Sequence, residues 1–175
     1  SKGWFIMGLK QIATSTVTSA VASVTLTGID DNSVYMVSFN NVLGTSEPTN
    51  FSFRFTESGT ANSTSNYDYA FWDVFAASSF AGRYGSNQNK TPFNQGSGST
   101  ALETQQGILY IYNANDSSEY TYASFETTFR NAYGGALQGA HGGGAFTVTS
   151  AVDGIYFQQD SGNISSGTIT LYKVV

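Results

Sequence analysis

Apolar and polar positions alternate along most of this chain with a two-residue period, broken at short intervals by Gly, Asn, Asp and Ser. In Phe51-Ser52-Phe53-Arg54-Phe55-Thr56 the three phenylalanines share one parity and the polar residues the other, the pattern of a strand with one buried face. Val34-Tyr35-Met36-Val37-Ser38-Phe39 is apolar at nearly every position and reads as a central strand covered on both sides. Further strand-length runs are Lys10–Val17, Ala22–Thr27, Tyr67–Phe75, Ile108–Tyr112, Tyr120–Arg130, Ala145–Thr149, Asp153–Gln158 and Thr168–Val175. Tyr67–Phe75 is read as a strand although Ala76-Ala77 would also suit a helical turn. The last run places the end of the given sequence inside a sheet, and trimming it is expected to unfold the domain.

Two stretches break the alternation. Gly82 to Gln106, rich in Gly, Ser, Asn and Gln, reads as a long connection with one short strand around Phe93. Gly134 to Gly144, where six of eleven residues are glycine, reads as a flexible or tightly turning loop. Ahead of the first strand, Trp4-Phe5-Ile6-Met7 is a continuous apolar run that needs a cover, either the chain's own sheet or a neighbouring subunit. The reading is an arm over residues 1–8 and one domain over 9–175. About ten antiparallel strands with long connections predict an all-β, antiparallel two-sheet sandwich, jelly-roll-like, with an immunoglobulin-like sandwich as the alternative. No internal repeat suggests a propeller or solenoid.

Composition supports the class and removes several functions. Of 175 residues, 43 are Ser or Thr and 26 are Phe, Tyr or Trp, a mixture poor in helix formers and suited to pleated, half-buried surfaces. A net charge of −5 with only three arginines gives no electrostatic footprint for a phosphate backbone, and an anionic membrane surface is disfavoured likewise. The uncharged stretch Gln11–Ile29 contains eight Ser or Thr in 19 residues, too polar for a membrane span or the apolar region of a signal peptide. With no cysteine, disulfides, thiol catalysis and cysteine-bound metals are excluded.

The chemistry-bearing residues do not assemble into a motif. His141 is the sole histidine, and there is no Gly-x-Ser-x-Gly elbow to supply a nucleophile beside it. Asp68, Asp73, Glu103, Glu119 and Glu126 are conceivable carboxylate partners, but nothing selects a pair. Asp30-Asp31-Asn32, Asn113-Ala114-Asn115-Asp116 and Asp160-Ser161-Gly162-Asn163 lack EF-hand spacing and read as turn formers. Five Asn-x-Ser/Thr sequons are few enough to arise by chance among 13 asparagines. No catalytic residue, metal or cofactor is therefore expected. Tyr84, Tyr110, Tyr112 and Tyr133 suit a core or interface, or stacking on sugar rings, and Tyr84, Tyr133 and His141 are taken as possible ligand-facing loop residues.

Four stretches carry a resemblance: Gly8-Leu9-Lys10-Gln11-Ile12-Ala13-Thr14, Ser33 to Val42, Val152-Asp153-Gly154-Ile155-Tyr156-Phe157, and the ending from Ser161 through Gly167-Thr168-Ile169-Thr170-Leu171-Tyr172. Together they resemble the small β-rich virion structural proteins of tailed bacteriophages, especially those of marine bacteria. The resemblance implies a non-enzymatic, jelly-roll-like protein on the virion surface, assembled in the host cytoplasm. A capsid decoration or cement protein is the leading form, contacting the major capsid protein and copies of itself as a homotrimer, with Trp4, Phe5, Ile6 and Met7 as the contact set. The alternatives are a head-fibre or tail-fibre adhesin that takes a host glycan, or a carbohydrate-binding module.

Overall fold

A computed structural model describes residues 8–76 and 80–175, and among them no helix occurs. In chain order the strands are β1 (Leu9–Val17), β2 (Ser23–Thr27), β3 (Tyr35–Gly44), β4 (Phe51–Glu57), β5 (Thr60–Ala61), β6 (Tyr67–Phe75) and β7 (Phe80–Gln88). They continue as β8 (Thr91–Pro92), β9 (Gln105–Tyr112), β10 (Thr121–Arg130), β11 (Leu137–Phe146), β12 (Gly154–Gln159) and β13 (Ile164–Val174). They form an eight-stranded sheet, β1-β13-β3-β9-β10-β11-β6-β7, and a five-stranded sheet in which β2-β12-β4-β5 is extended by β8 beside β4. Neighbouring strands pair antiparallel, both where they follow one another in the chain, as β6-β7, β9-β10 and β10-β11 do, and where they are far apart, as β1-β13 and β3-β9 are.

The winding follows from this order. β1, β3 and β13 lie in the large sheet while β2, β4 and β12 lie in the small one, so the chain crosses between sheets and its first and last strands become neighbours. The two sheets form the all-β antiparallel sandwich expected, with thirteen strands among the described residues where about ten were expected. The β9-β10-β11 meander and the β6-β7 hairpin then widen the large sheet by four strands.

Aromatic side chains fill the space between the sheets. Phe39 and Phe125 come from the large sheet and Phe51, Phe53 and Phe157 from the small one, and all are buried. Phe93, just after β8, sits among them, its ring centre 4.9 Å from Phe39, 5.3 Å from Phe51, 5.0 Å from Phe53, 5.3 Å from Phe125 and 6.2 Å from Phe157. Such offset and edge-on contacts add to the gain from burying each ring. The polar parity of β4 is also partly covered, because Ser52 and Thr56 donate to Asp160 at 2.7 Å and Asp153 at 2.6 Å.

Tyr67 ties β6 to the opposite sheet. Its phenol accepts the Phe55 N–H at 3.1 Å and donates to the Asn62 carbonyl at 2.9 Å. Burial, the largest cause, pushes the phenol well above its ordinary value. A raised folded-state value favours folding below the unfolded phenol's titration near pH 10, and the contribution is lost as pH rises beyond that. Tyr67→Phe is expected to lower stability by about 1–2 kcal/mol at neutral pH, by orphaning the Phe55 N–H. It should also remove part of the alkaline loss; urea melts of both proteins at neutral and alkaline pH check this.

Two sequence expectations are corrected. The stretch from Gly82 is not a connection at first: Phe80–Gln88 is an edge strand paired with β6. The glycine-rich stretch is not a loop from Gly134 to Gly144 but runs as β11 from Leu137, between β10 and β6. Gly142, Gly143 and Gly144 are required by crowding. A Cβ on Gly142 would fall onto Phe71 and the Ala70 carbonyl, and one on Gly143 onto the Ala123 carbonyl. Glycine inside a strand here marks close backbone approach rather than a turn.

Candidate functional site

The outer face of the large sheet holds the residues most open to a ligand. On β6, Tyr67, Phe71 and Asp73 are buried, so Asp68, Ala70, Trp72 and Val74 share the outer parity. Register carries that parity across the sheet. His141 of β11 lies opposite Trp72 on one side and Glu126 of β10 on the other, and Trp72 lies opposite Gly82 of β7. One rung along, Ser124, Gly143, Ala70 and Tyr84 align across β10, β11, β6 and β7.

These positions form a trench. The outward residues of β11 are Leu137, Gly139, His141, Gly143 and Ala145, and beyond Leu137 at the strand's start only His141 carries a side chain larger than a methyl group. Tyr122 and Glu126 stand on the β10 side, and Trp72 and Tyr84 on the other. The Trp72 ring carbons lie 3.6–3.9 Å from where a Cβ on Gly82 would sit, so the indole is laid over the glycine backbone. It nonetheless remains 58% exposed, and Tyr84 is 83% exposed. Two depressions of about 470 and 590 Å³ open here and share Ala70 and Tyr84.

Polar groups are sparse and mostly acceptors. His141 Nδ1 lies 3.3 Å from Glu126 Oε1, both side chains about two-thirds exposed, a contact that water screens and that contributes little to stability. On the inner side of the same strands Arg83 Nε donates to Asp73 Oδ2 at 2.8 Å, and Asp73 is fully buried. Arg83 is thereby committed to a carboxylate, although its side chain stays about one-third exposed and lines the depression at Trp72.

A second feature lies where the described chain begins. Gly8 and Val175 exchange backbone hydrogen bonds of 2.8 and 2.9 Å, closing β1 onto β13. Beside them Leu9, Val34, Met36, Tyr110, Tyr112 and Val174 line an apolar depression of about 460 Å³.

The sequence-selected residues are thus distributed unevenly. Tyr84 and His141 are brought together on one face, on strands rather than loops, with Trp72 on the rung of His141 and one rung from Tyr84. Tyr133 is elsewhere, in the β10–β11 connection, its ring filling the space a side chain at Gly96 would take. Tyr110 and Tyr112 line the apolar depression. Trp4, Phe5, Ile6 and Met7 lie outside the described residues. Trp72 and Tyr122 were missed, although a tryptophan sharing parity with Asp68 is visible in the strand pattern.

Two of the Asp-rich turns behave as turn formers, Asp31 accepting from Ser33 N–H and Asp116 from Ser118 N–H, each at 2.9 Å, whereas Asp160 accepts from Ser52 and Asn50 and pairs with Lys90. Lys173 and Ser33 hold the Asp31 carboxyl below the usual carboxylate range. No protein-family model matches the chain, and no curated protein matches it in sequence.

Proposed function

We propose that this chain is a non-enzymatic structural protein of a tailed-bacteriophage virion, a capsid decoration (cement) protein on the outer surface of the head. It acts as a homotrimer and contacts the major capsid protein. The observation that carries the reading, beside the resemblance, is the apolar corner of Leu9, Val34, Met36, Tyr112 and Val174, of which Leu9 follows Trp4-Phe5-Ile6-Met7 after a single residue. Contiguous exposed apolar surface of this kind is the mark of a contact region. The reciprocal bonds between Gly8 and Val175 support the role mechanically, since tension on residues 1–7 passes into β13, itself paired with β3.

The test is the copy number of the chain in purified particles, counted by quantitative mass spectrometry against the major capsid protein. Hundreds of copies are expected for a shell protein. A few to a few dozen would move it to a tail or head fibre as a receptor-binding adhesin, the reading favoured by the aromatic trench, and absence from particles would overturn the virion assignment. Deleting residues 1–7 is expected to abolish particle binding; unchanged binding and oligomer state would overturn the contact role of Trp4 to Met7.

A further inference from the structure

We propose that the trench over β11, walled by Tyr122 and Glu126 on one side and by Trp72 and Tyr84 on the other, is a binding site for a neutral glycan chain. Three observations set the ligand class. The first is the aromatic platform: Trp72 lies flat over Gly82 with its other face open, and Tyr84 projects beside it. A sugar ring offers apolar C–H faces and hydroxyl edges, so it covers an aromatic ring with one surface while keeping its polar groups in water or on nearby acceptors.

The second is shape. Gly139 and Gly143 leave the floor of the trench as bare backbone, and at Gly143 the carbonyl of Ala123 forbids any side chain. The depressions at Trp72 and at Tyr122 share Ala70 and Tyr84, while a third, of about 290 Å³, shares His141 with the first and reaches Tyr110 and Ser124. The path from β9 to β7 crosses four strand spacings, roughly 19 Å, which suits a linear oligomer rather than a single ring.

The third is charge. The lining carries Asp68, Glu126, His141 and Arg83, and the Arg83 guanidinium is already paired with buried Asp73. Carboxylates with no free cation repel phosphate, sulfate and uronate groups but accept hydroxyl hydrogen bonds. The ligand is therefore uncharged and hydroxyl-rich. The apolar depression at β1 and β3 adjoins the β9 end of this path through Tyr110 and Tyr112 but includes none of Trp72, Tyr84 and Tyr122, so the site stands whether or not the chain belongs to a virion.

The experiment titrates the full chain carrying Trp4→Phe, which leaves Trp72 as the only tryptophan, with cellohexaose, maltohexaose, chitohexaose and neoagarohexaose. An alginate hexamer serves as the anionic control, and Trp72 fluorescence and calorimetry are the readouts. At least one neutral hexaose is expected to shift the emission and to bind roughly tenfold tighter than its disaccharide. In the natural background, Trp72→Ala and Tyr84→Ala should each weaken binding by roughly tenfold, the size of one lost stacking contact, with melting temperatures unchanged. Silence from all four neutral hexaoses up to about 10 mM overturns the proposal, as does preference for the alginate hexamer. It is overturned equally if no sugar binds and Trp72→Ala instead converts a self-associated protein into monomer, because the trench would then hold a second copy. None of these outcomes depends on particle copy number.

Discussion

Phe93→Ala is expected to lower the unfolding free energy by about 3–5 kcal/mol, the range for removing a fully buried phenylalanine. Phe93 is 0% exposed and touches the rings of Phe39, Phe51, Phe53, Phe125 and Phe157, which belong to both sheets. The void would lie between two hydrogen-bonded sheets that cannot collapse onto it without breaking register, so little of the loss is recovered. Domains of this size hold about 5–15 kcal/mol in all, and each kcal/mol moves the melting temperature by about 2–4 °C. A drop on the order of 10 °C in calorimetry is the expected result. A drop of only a degree or two would mean that Phe93 is not the link between the sheets.

Phe93 also shows how far the fold can be read before folding. The runs at Phe51 and Thr168 are legible because each has one parity that must be buried, and a one-residue slip would expose it; the run at Val34, which reads as covered on both faces, is central in its sheet but buries only Tyr35, Val37 and Phe39. Phe93, around which the sequence suggests one short strand, stands just past the two-residue β8. β7 and β11 were not legible because their signal is the reverse of burial. β7 is an edge strand with alternating exposed and half-buried residues, so nothing in Gly82-Arg83-Tyr84-Gly85-Ser86 demands a core. In β11 the side chains are missing where the neighbouring backbones are closest, and such closeness is a property of three strands together.

The candidate site inherits that difficulty. Tyr84 and His141 were picked out as loop residues, and their meeting on one face needs the two strands whose nature was hidden. Trp72 was recoverable, since it falls on the wrong parity of a run whose other face is Tyr67, Phe71 and the buried ion-pair member Asp73. An apolar residue on the solvent parity is where surface function is to be sought, because core packing gives no account of it.

Gly142→Ala is expected to cost about 4 kcal/mol, more than an added methyl group usually does. The obstacles at Gly142 are the Cα and Cβ of Phe71 and the Ala70 carbonyl, backbone and near-backbone atoms of β6 that cannot rotate aside. Relief requires moving β11 away from β6 and stretching a ladder that runs from Gln138 opposite Phe75 to Phe146 opposite Tyr67. Gly139→Ala, three residues earlier on the same strand, is the internal control. Its Cβ would meet only the Thr127 carbonyl, at an ordinary 3.5 Å. Alanine there should change stability by less than about 1 kcal/mol, with the stiffer unfolded chain favouring the variant. Urea denaturation of the pair separates crowding from glycine's flexibility: if both substitutions were equally mild, β11 would not be held between β10 and β6, and the trench would lose its floor.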